Sequence, residues 1–272
     1  REFMIFFKRI GFVTIFAFMF VLVSCSNSDS TPSCRLVSFD DYGVYYDEIK
    51  NGYYSFDPSY SGKFNLEYEN NIISIIHGGL RNLSVPGNSN ISFSQSDDVH
   101  DNLVYNSNSI TVNNYHLYSK EFVIVDGKLV SQNIEYSNYL PDEAIEDYSP
   151  GLHTYEYVGN KILEKVGAFT RRIFYIENGN LAKIDWFFRS SPDVIYKKKE
   201  YLFTNYDSTP NLLKGKFYIN GFFFKAFSNN NYGKIEINTY YFNNGVYELN
   251  QGQYSFFNYG EFTTDMFIQD CQ

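Results

Sequence analysis

Residues whose types and spacing could do chemistry fall in a few places. Asp97-Asp98-Val99-His100-Asp101 sets three carboxylates beside an imidazole, a mix of oxygen and nitrogen donors that suits a divalent cation. It lacks the spacing and the glycine of a calcium loop, so it reads as a solvated acidic loop, and no metal site is expected. Asp142, Glu143, Glu146 and Asp147 form a second acidic group. Glycoside hydrolysis needs two carboxyl groups at a set separation, but on a short helix these four share an exposed face, the pattern of a solubilising surface. The four histidines, His77, His100, His116 and His153, are scattered. His77 precedes Gly78-Gly79 at the end of an apolar run, the place of a hydrogen-bonded strand-end residue. The G-x-S-x-G, H-E-x-x-H, C-x-x-C and P-loop patterns are missing. Hydrolase-elbow, zincin, redox and nucleotide chemistry therefore lack their usual signatures, and no cofactor is expected.

Cysteine chemistry is more informative. Met4 opens a segment with a basic pair, Lys8 and Arg9, an apolar run from Ile10 to Val23, and then Ser24-Cys25. The run is short for a bilayer span and suits the apolar region of an export signal. Leu22-Val23-Ser24-Cys25 resembles the bacterial lipobox, which implies cleavage before Cys25 and acylation of that cysteine, with a membrane partner reached through the lipid anchor. Residues 1–24 are read as the signal, 25–40 as lipidated cysteine and polar tether, and 41–272 as a single β domain. Ser26 directly after the cysteine resembles outer-membrane sorting signals, so the periplasmic face of the outer membrane is expected, with the cell surface as the alternative. The remaining pair, Cys34 and Cys271, is a disulfide candidate in an oxidising compartment.

Charge narrows the partners. The chain carries a formal −9, and loss of the signal, which holds three bases and one acid, takes it to −11. Such a surface repels phosphate backbones, so nucleic acid is not an expected partner.

The elements that must position these groups are strands. Phe and Tyr number 27 and 26 and aromatics make up 20% of the chain, a composition that fits pleated, half-buried surfaces. Two-residue turn pairs recur at Asn51-Gly52, Asn70-Asn71, Asp126-Gly127, Gly159-Asn160, Asn178-Gly179, Asn220-Gly221 and Asn244-Gly245. Residues of this kind accept the positive φ of type I′ turns. Seven hairpins give about fourteen strands, and a sheet that size curls, closes or splits. The expectation is an all-β, antiparallel hairpin meander, barrel-like or strongly curled, with a transmembrane barrel as the alternative. Around Asn178-Gly179 the predicted pairs are Ile176 with Leu181, Phe174 with Lys183 and Arg172 with Asp185, which sends Ile173, Tyr175, Ile184 and Trp186 to the core. Around Asp126-Gly127 they are Ile124 with Leu129 and Val123 with Val130. Around Asn220-Gly221 they are Tyr218 with Phe223 and Phe217 with Phe224, and around Asn244-Gly245, Phe242 with Tyr247. Stretches 81–109 and 137–153 are predicted as longer loops, and 141–148 as the best helix candidate.

Trp186-Phe187-Phe188 and Phe222-Phe223-Phe224 put aromatics on both faces of their segments. The surplus offers either a sugar-, lipid- or protein-binding surface or a second packed layer, and it makes Trp186, Phe188 and Phe223 the candidate binding residues. The repeated form in Tyr155-Glu156-Tyr157-Val158-Gly159-Asn160-Lys161-Ile162 and in Phe174 to Leu181 looks like YD-type strand repeats. Together with Tyr206-Asp207-Ser208-Thr209-Pro210-Asn211 and Ser228-Asn229-Asn230-Asn231 it is similar to uncharacterised Bacteroidota outer-membrane lipoproteins. That resemblance implies a porin-like antiparallel fold in the cell envelope and supplies no activity. Asp207 and Asn211 are expected to hold a turn. The readings carried forward are a non-catalytic envelope lipoprotein binding a glycan, lipid or envelope protein, a polysaccharide or peptidoglycan hydrolase using acids such as Asp98 and Glu143, and a purely structural protein.

Overall fold

The computed structural model describes residues 34–41, 62–78, 80–82, 93–95, 99–114, 118–136, 151–191, 193–219, 223–243, 245–249, 255–258 and 267–271. Contacts group Arg35–Asp270 as one compact unit, and Arg1–Cys34 with Cys271–Gln272 as another. The strands are β1 (Cys34–Asp41), β2 (Gly62–Glu69), β3 (Ile72–His77), β4 (Leu80–Asn82), β5 (Phe93–Gln95), β6 (His100–Tyr105), β7 (Ser109–Asn114), β8 (Tyr118–Val125) and β9 (Lys128–Tyr136). They continue with β10 (Gly151–Val158), β11 (Lys161–Val166), β12 (Phe169–Glu177), β13 (Asn180–Ser191), β14 (Val194–Pro210), β15 (Asn230–Asn243), β16 (Val246–Leu249), β17 (Ser255–Asn258) and β18 (Phe267–Cys271).

Sixteen of these strands form one sheet, in the order β16-β15-β14-β13-β12-β11-β10-β9-β8-β7-β6-β3-β2-β1-β18, with β17 also paired to β15. β4 and β5 make a separate pair. The path is the hairpin meander expected, and it has two ends, so the sheet is not closed into a barrel. Strands appear where loops were predicted, because β6 and β7 fill 100–114 and β10 begins at Gly151. β1 likewise starts inside the stretch read as tether. The 141–148 helix candidate and the Asn51-Gly52 turn lie outside the described residues.

The turn pairs work as their chemistry requires. Asn70, Asn71, Asp126, Gly127, Asn178 and Gly179 all have φ between 51° and 79°, the left-handed region that gives a two-residue hairpin the twist of its strands. Gly179 is required twice over, since a side chain there would also collide with the Asn229 amide. Asn244-Gly245 gives the predicted pairing of Phe242 with Tyr247.

Two registers differ from expectation by one residue. Ile176 does face Leu181, but a bulge between Tyr175 and Ile176 then pairs Tyr175 with Lys183, Phe174 with Ile184 and Arg172 with Trp186. A bulge adds one residue to one strand and so flips every side chain beyond it. Ile184 and Trp186 therefore point inward with Phe174 and Arg172, whereas Ile173 and Tyr175 point outward. The β8/β9 hairpin behaves the same way: Ile124 faces Leu129, but a shift sets Val123 against Ser131.

Curling follows from what the inward face packs against. Asn220-Gly221 itself lies outside the described residues, and the strand pairs predicted around it are not made, since residues 217–219 and 223–224 are turns and a bend rather than strands. Residues 211–219 and 223–228 are instead a plug of turns and one 3-10 turn, Lys225–Phe227, carrying buried Leu213, Phe217, Ile219, Phe223, Phe224 and Phe227. Its Tyr218 ring lies 6.3 Å from Tyr105 on β6, while its Phe224 lies 6.1 Å from Phe203 on β14. β6 and β14 are eight steps apart in the sheet, about 38 Å if flat at the usual strand spacing. One short plug reaches both only because the sheet wraps around it.

The neck of the plug is clasped by the Tyr206–Asn211 and Ser228–Asn231 segments. Asn211 Nδ2 donates to the Lys225 and Ser228 carbonyls at 2.7 and 2.9 Å, and its Oδ1 accepts from Leu213 N at 2.9 Å. Asp207 accepts from Asn231 N and Nδ2, both at 3.0 Å, and from Thr209 Oγ1 at 2.6 Å. Burial works to raise the Asp207 pKa, but these bonds to its charged form outweigh it and the pKa falls below the ordinary value.

Candidate functional site

The titratable groups that the fold brings together in its interior come from β10 to β13. His153 and Tyr155 alternate inward on β10. Tyr155 faces Glu164 on β11, Glu164 faces Arg172 on β12, and Arg172 faces Trp186 on β13. The result is a cross-strand row under the plug. Arg172 grips the Glu164 carboxylate with two donors, Nε to one oxygen and Nη2 to Oε1 at 2.8 Å. His153 Nδ1 lies 2.5 Å from Oε1. The Tyr155 hydroxyl sits 3.2 Å from Gln132 Oε1 and 3.4 Å from Glu164 Oε1.

Burial alone would raise the Glu164 pKa. The charge and hydrogen bonds of Arg172, the His153 hydrogen bond and the charge of Arg171 more than offset it, and the carboxyl is held well below the usual range. Glu164 is therefore an acceptor, and His153 Nδ1 carries the proton in their bond. Burial, reinforced by the Glu164 charge, pushes the Tyr155 hydroxyl well above its ordinary value and keeps it neutral. Arg172 is roofed by aromatic faces, with Cζ 4.8 Å from the Trp186 ring centre, 5.3 Å from Phe223 and 5.6 Å from Phe224, positions that favour cation–π attraction.

An acid, an imidazole and a phenol within hydrogen-bond reach have the composition of a general acid–base site. Their access does not match. His153 and Glu164 are 0% exposed, and a group that no substrate reaches transfers no proton to one. The row is a polar rivet between sheet and plug.

The candidate binding residues share that interior. Trp186, Phe188 and Phe223 are 1%, 7% and 7% exposed. Trp186 stacks on Phe188 at 5.4 Å, and Phe223 packs on Tyr155, Phe174 and Phe217 at 6.1 to 6.3 Å. The aromatic surplus is a second packed layer, and these three residues do not line an open surface. Of the acidic motifs, Asp97, Asp98 and the 142–147 group lie outside the described residues, as do Cys25, His116 and the side chains of Cys34 and Cys271. Asp101 is buried and accepts from Asn114 Nδ2 at 2.7 Å. His77 Nε2 bonds Glu67 Oε1 at 2.8 Å, with its ring 6.2 Å from that of His100. Among the described residues no group of three or more His, Cys, Asp or Glu could hold a metal.

A second cluster lies on the outward face, where Tyr175, Lys183, Lys198, Glu200 and Tyr240 are half-buried around the buried Asp185. Asp185 and Glu200 stand opposite each other on β13 and β14. Lys183 lies 3.2 Å from Asp185 and 3.8 Å from Glu200, and Lys198 lies 3.6 and 3.8 Å from the same two. Tyrosines flank them. The Tyr175 hydroxyl donates to Asp185 at 2.8 Å and the Tyr240 hydroxyl to Glu200 at 3.1 Å, with Lys183 4.3 Å from the Tyr175 ring centre and Lys198 4.5 Å from that of Tyr240. Burial first, and then the Asp185 bond and neighbouring carboxylates, raise the Tyr175 hydroxyl to about 12. This band of half-buried rings among fixed donors and acceptors was missed in the sequence because the bulge reverses the faces of β12. It suits a ligand with apolar faces and many hydroxyls.

No protein-family model matches the chain, and no curated protein matches it in sequence. Among solved structures, a porin-like protein from Bacteroides vulgatus aligns with 88% of this chain and 98% of its own at 13% identity and a TM-score of 0.44. A porin-like protein from Bacteroides uniformis aligns with 78% of this chain and 90% of its own at 9% identity and a TM-score of 0.36.

Proposed function

We propose that the chain is a lipid-anchored protein of the bacterial outer membrane that binds a glycan without catalysis. The observation that carries the binding reading is the contrast of access. The acid–base row at Glu164 is sealed, while Tyr175, Glu200 and Tyr240 are half-buried on the outward face and reach solvent around the buried Asp185. Tyrosine rings stack on the C–H faces of sugars, and carboxylates and ammonium groups on a rigid sheet bond their hydroxyls. The anchor reading rests on Lys8-Arg9, the apolar run to Val23 and Cys25, and the periplasmic face follows from Ser26. We also propose a disulfide between Cys34 and Cys271. Cys34 opens β1, Cys271 closes β18, and those strands are neighbours in the sheet.

The test is binding of the purified acylated chain to arrayed envelope polysaccharides. Saturable binding is expected, and Tyr175→Ala and Tyr240→Ala should each weaken it by about tenfold, the scale of a central aromatic contact. Binding that ignores both substitutions, or the release of new reducing ends from the polysaccharide, would overturn the reading.

A further inference from the structure

Histidines scattered along the chain are brought side by side by the fold in one place. His77 ends β3, His100 opens β6, and the two are cross-strand partners. Gly78 N donates to Val99 O at 2.9 Å, so residues 78 and 99 make a hydrogen-bonded pair. By the alternation of an antiparallel ladder, His77 and His100 are then a non-hydrogen-bonded pair, the kind whose Cα atoms approach to about 4.5 Å and whose side chains lie closest. Their ring centres are 6.2 Å apart, with the rings tilted by 45°.

Both rings stand on the outward face. Ile76 and Asp101, the next pair along the ladder, are buried inward, and successive side chains of a strand point to opposite faces. Neither histidine is sealed, in contrast to His153. Asp101, the sequence neighbour of His100, turns to Asn114, so the imidazole finds its partner on another strand rather than in its own acidic run.

Glu67 on β2 completes the arrangement. His77 Nε2 bonds Glu67 Oε1 at 2.8 Å, and a carboxylate only accepts, so Nε2 carries the proton and Nδ1 of the neutral ring keeps its lone pair. A histidine that donates one ring N–H to a carboxylate is the usual form of a metal ligand, because the carboxylate fixes the tautomer and makes the other nitrogen more basic.

We propose that His77 and His100 form a zinc-binding pair on the sheet surface, with Glu67 as a positioning residue. Imidazole nitrogen suits zinc, and the filled d shell of zinc imposes no ligand angle, so the ion adapts to two rings held by a strand ladder. With Zn–N at about 2.0–2.1 Å, tetrahedral coordination puts two ring centres about 5.3 Å apart. From 6.2 Å the rings close by about 1 Å, a change that rotation of the two side chains supplies. Two protein ligands leave the other positions to water, so the ion exchanges readily, and the net −9 of the chain favours a cation. The bound ion clamps β3 to β6. Between those strands the chain leaves the sheet, since β4 and β5 pair with each other, and an ion held only by the folded sheet stabilises it.

The test titrates the full untagged chain, first stripped of metal by a chelator, with zinc chloride in a calorimeter. Saturable uptake is expected, lost in His77→Ala and in His100→Ala and weakened about tenfold in Glu67→Gln, with circular dichroism showing that each variant keeps its sheet. Heat that never saturates, or uptake that either alanine variant retains, overturns the pair. Uptake that ignores Glu67→Gln overturns its positioning role. A second measurement needs no variant: zinc should slow the modification of both His77 and His100 by diethyl pyrocarbonate several-fold, with the sites located by mass spectrometry. Equal modification with and without zinc overturns the proposal.

Discussion

At the scale of single residues, Glu164 is the group whose change says most. Its carboxylate meets Arg172, His153 and Tyr155 with no exposure to water. Glu164→Gln leaves the Arg172 charge buried without its partner, a loss that costs about 3–5 kcal/mol in such pairs, read as a drop in the urea midpoint at pH 7. The pH dependence has a definite sign. The folded-state pKa is held below the unfolded one, so this stability is fully present above the unfolded carboxylate value of about 4.3 and is lost as pH falls below it. Urea titrations from pH 7 to pH 3 should show the native chain losing more stability than Glu164→Gln over the acid part of the range. A parallel decline would show that Glu164 is not the linked group. The sequence reading missed this pair: it sent Ile173 and Tyr175 of β12 to the core and so put Arg172 and Phe174 outside, the reverse of what the bulge between Tyr175 and Ile176 produces. Glu164 and Arg172 meet because β11 and β12 are neighbours in the sheet, and which strands pair is a property of topology that alternation within one strand does not carry.

At the scale of elements, the hairpins were legible and the bulges were not. A turn of the Asn-Gly kind sets the first cross-strand pair through its own backbone angles, and Ile176 with Leu181, Ile124 with Leu129 and Phe242 with Tyr247 all follow. One residue further along, the register depends on whether an extra residue is accommodated, which is settled by what the inward face must pack. The strand pairs expected on either side of Asn220-Gly221 are not made for a related reason. Phe217, Phe223 and Phe224 are buried as a plug against the inward face of the sheet, and the Asn211 and Asp207 bonds close the neck. The ends of the sheet carry their own expectation. With Cys34 at the start of β1 and Cys271 at the end of β18, a bridge would close nearly the whole chain, and loop-closure entropy puts its contribution on the order of 4–5 kcal/mol. Alkylation of the unreduced protein should label neither residue, and reduction should lower the urea midpoint. Two labelled thiols before reduction would end the idea.

At the scale of the whole molecule, the outward face decides what medium surrounds the sheet. A strand set facing lipid carries an apolar band, and a lysine or arginine near its middle costs about 2–4 kcal/mol. Here the outward positions include Glu121 on β8, Asn133 on β9, Glu156 on β10, Lys183 and Asp185 on β13, Lys198 and Glu200 on β14 and Glu236 on β15. Among the described residues these charges interrupt the apolar positions of the outward face, and the plug packs against the inward one. Charges at these outward positions count against the transmembrane barrel weighed as an alternative. The proposed lipid anchor at Cys25 would then tie the domain to the membrane. The mature chain from Ser26 onward, made without acylation, should remain strand-rich by circular dichroism and elute in buffer without detergent at the mass of a monomer by light scattering. A chain that stays in solution only with detergent would return the barrel to consideration, because a charged outer face has no need of detergent to cover it.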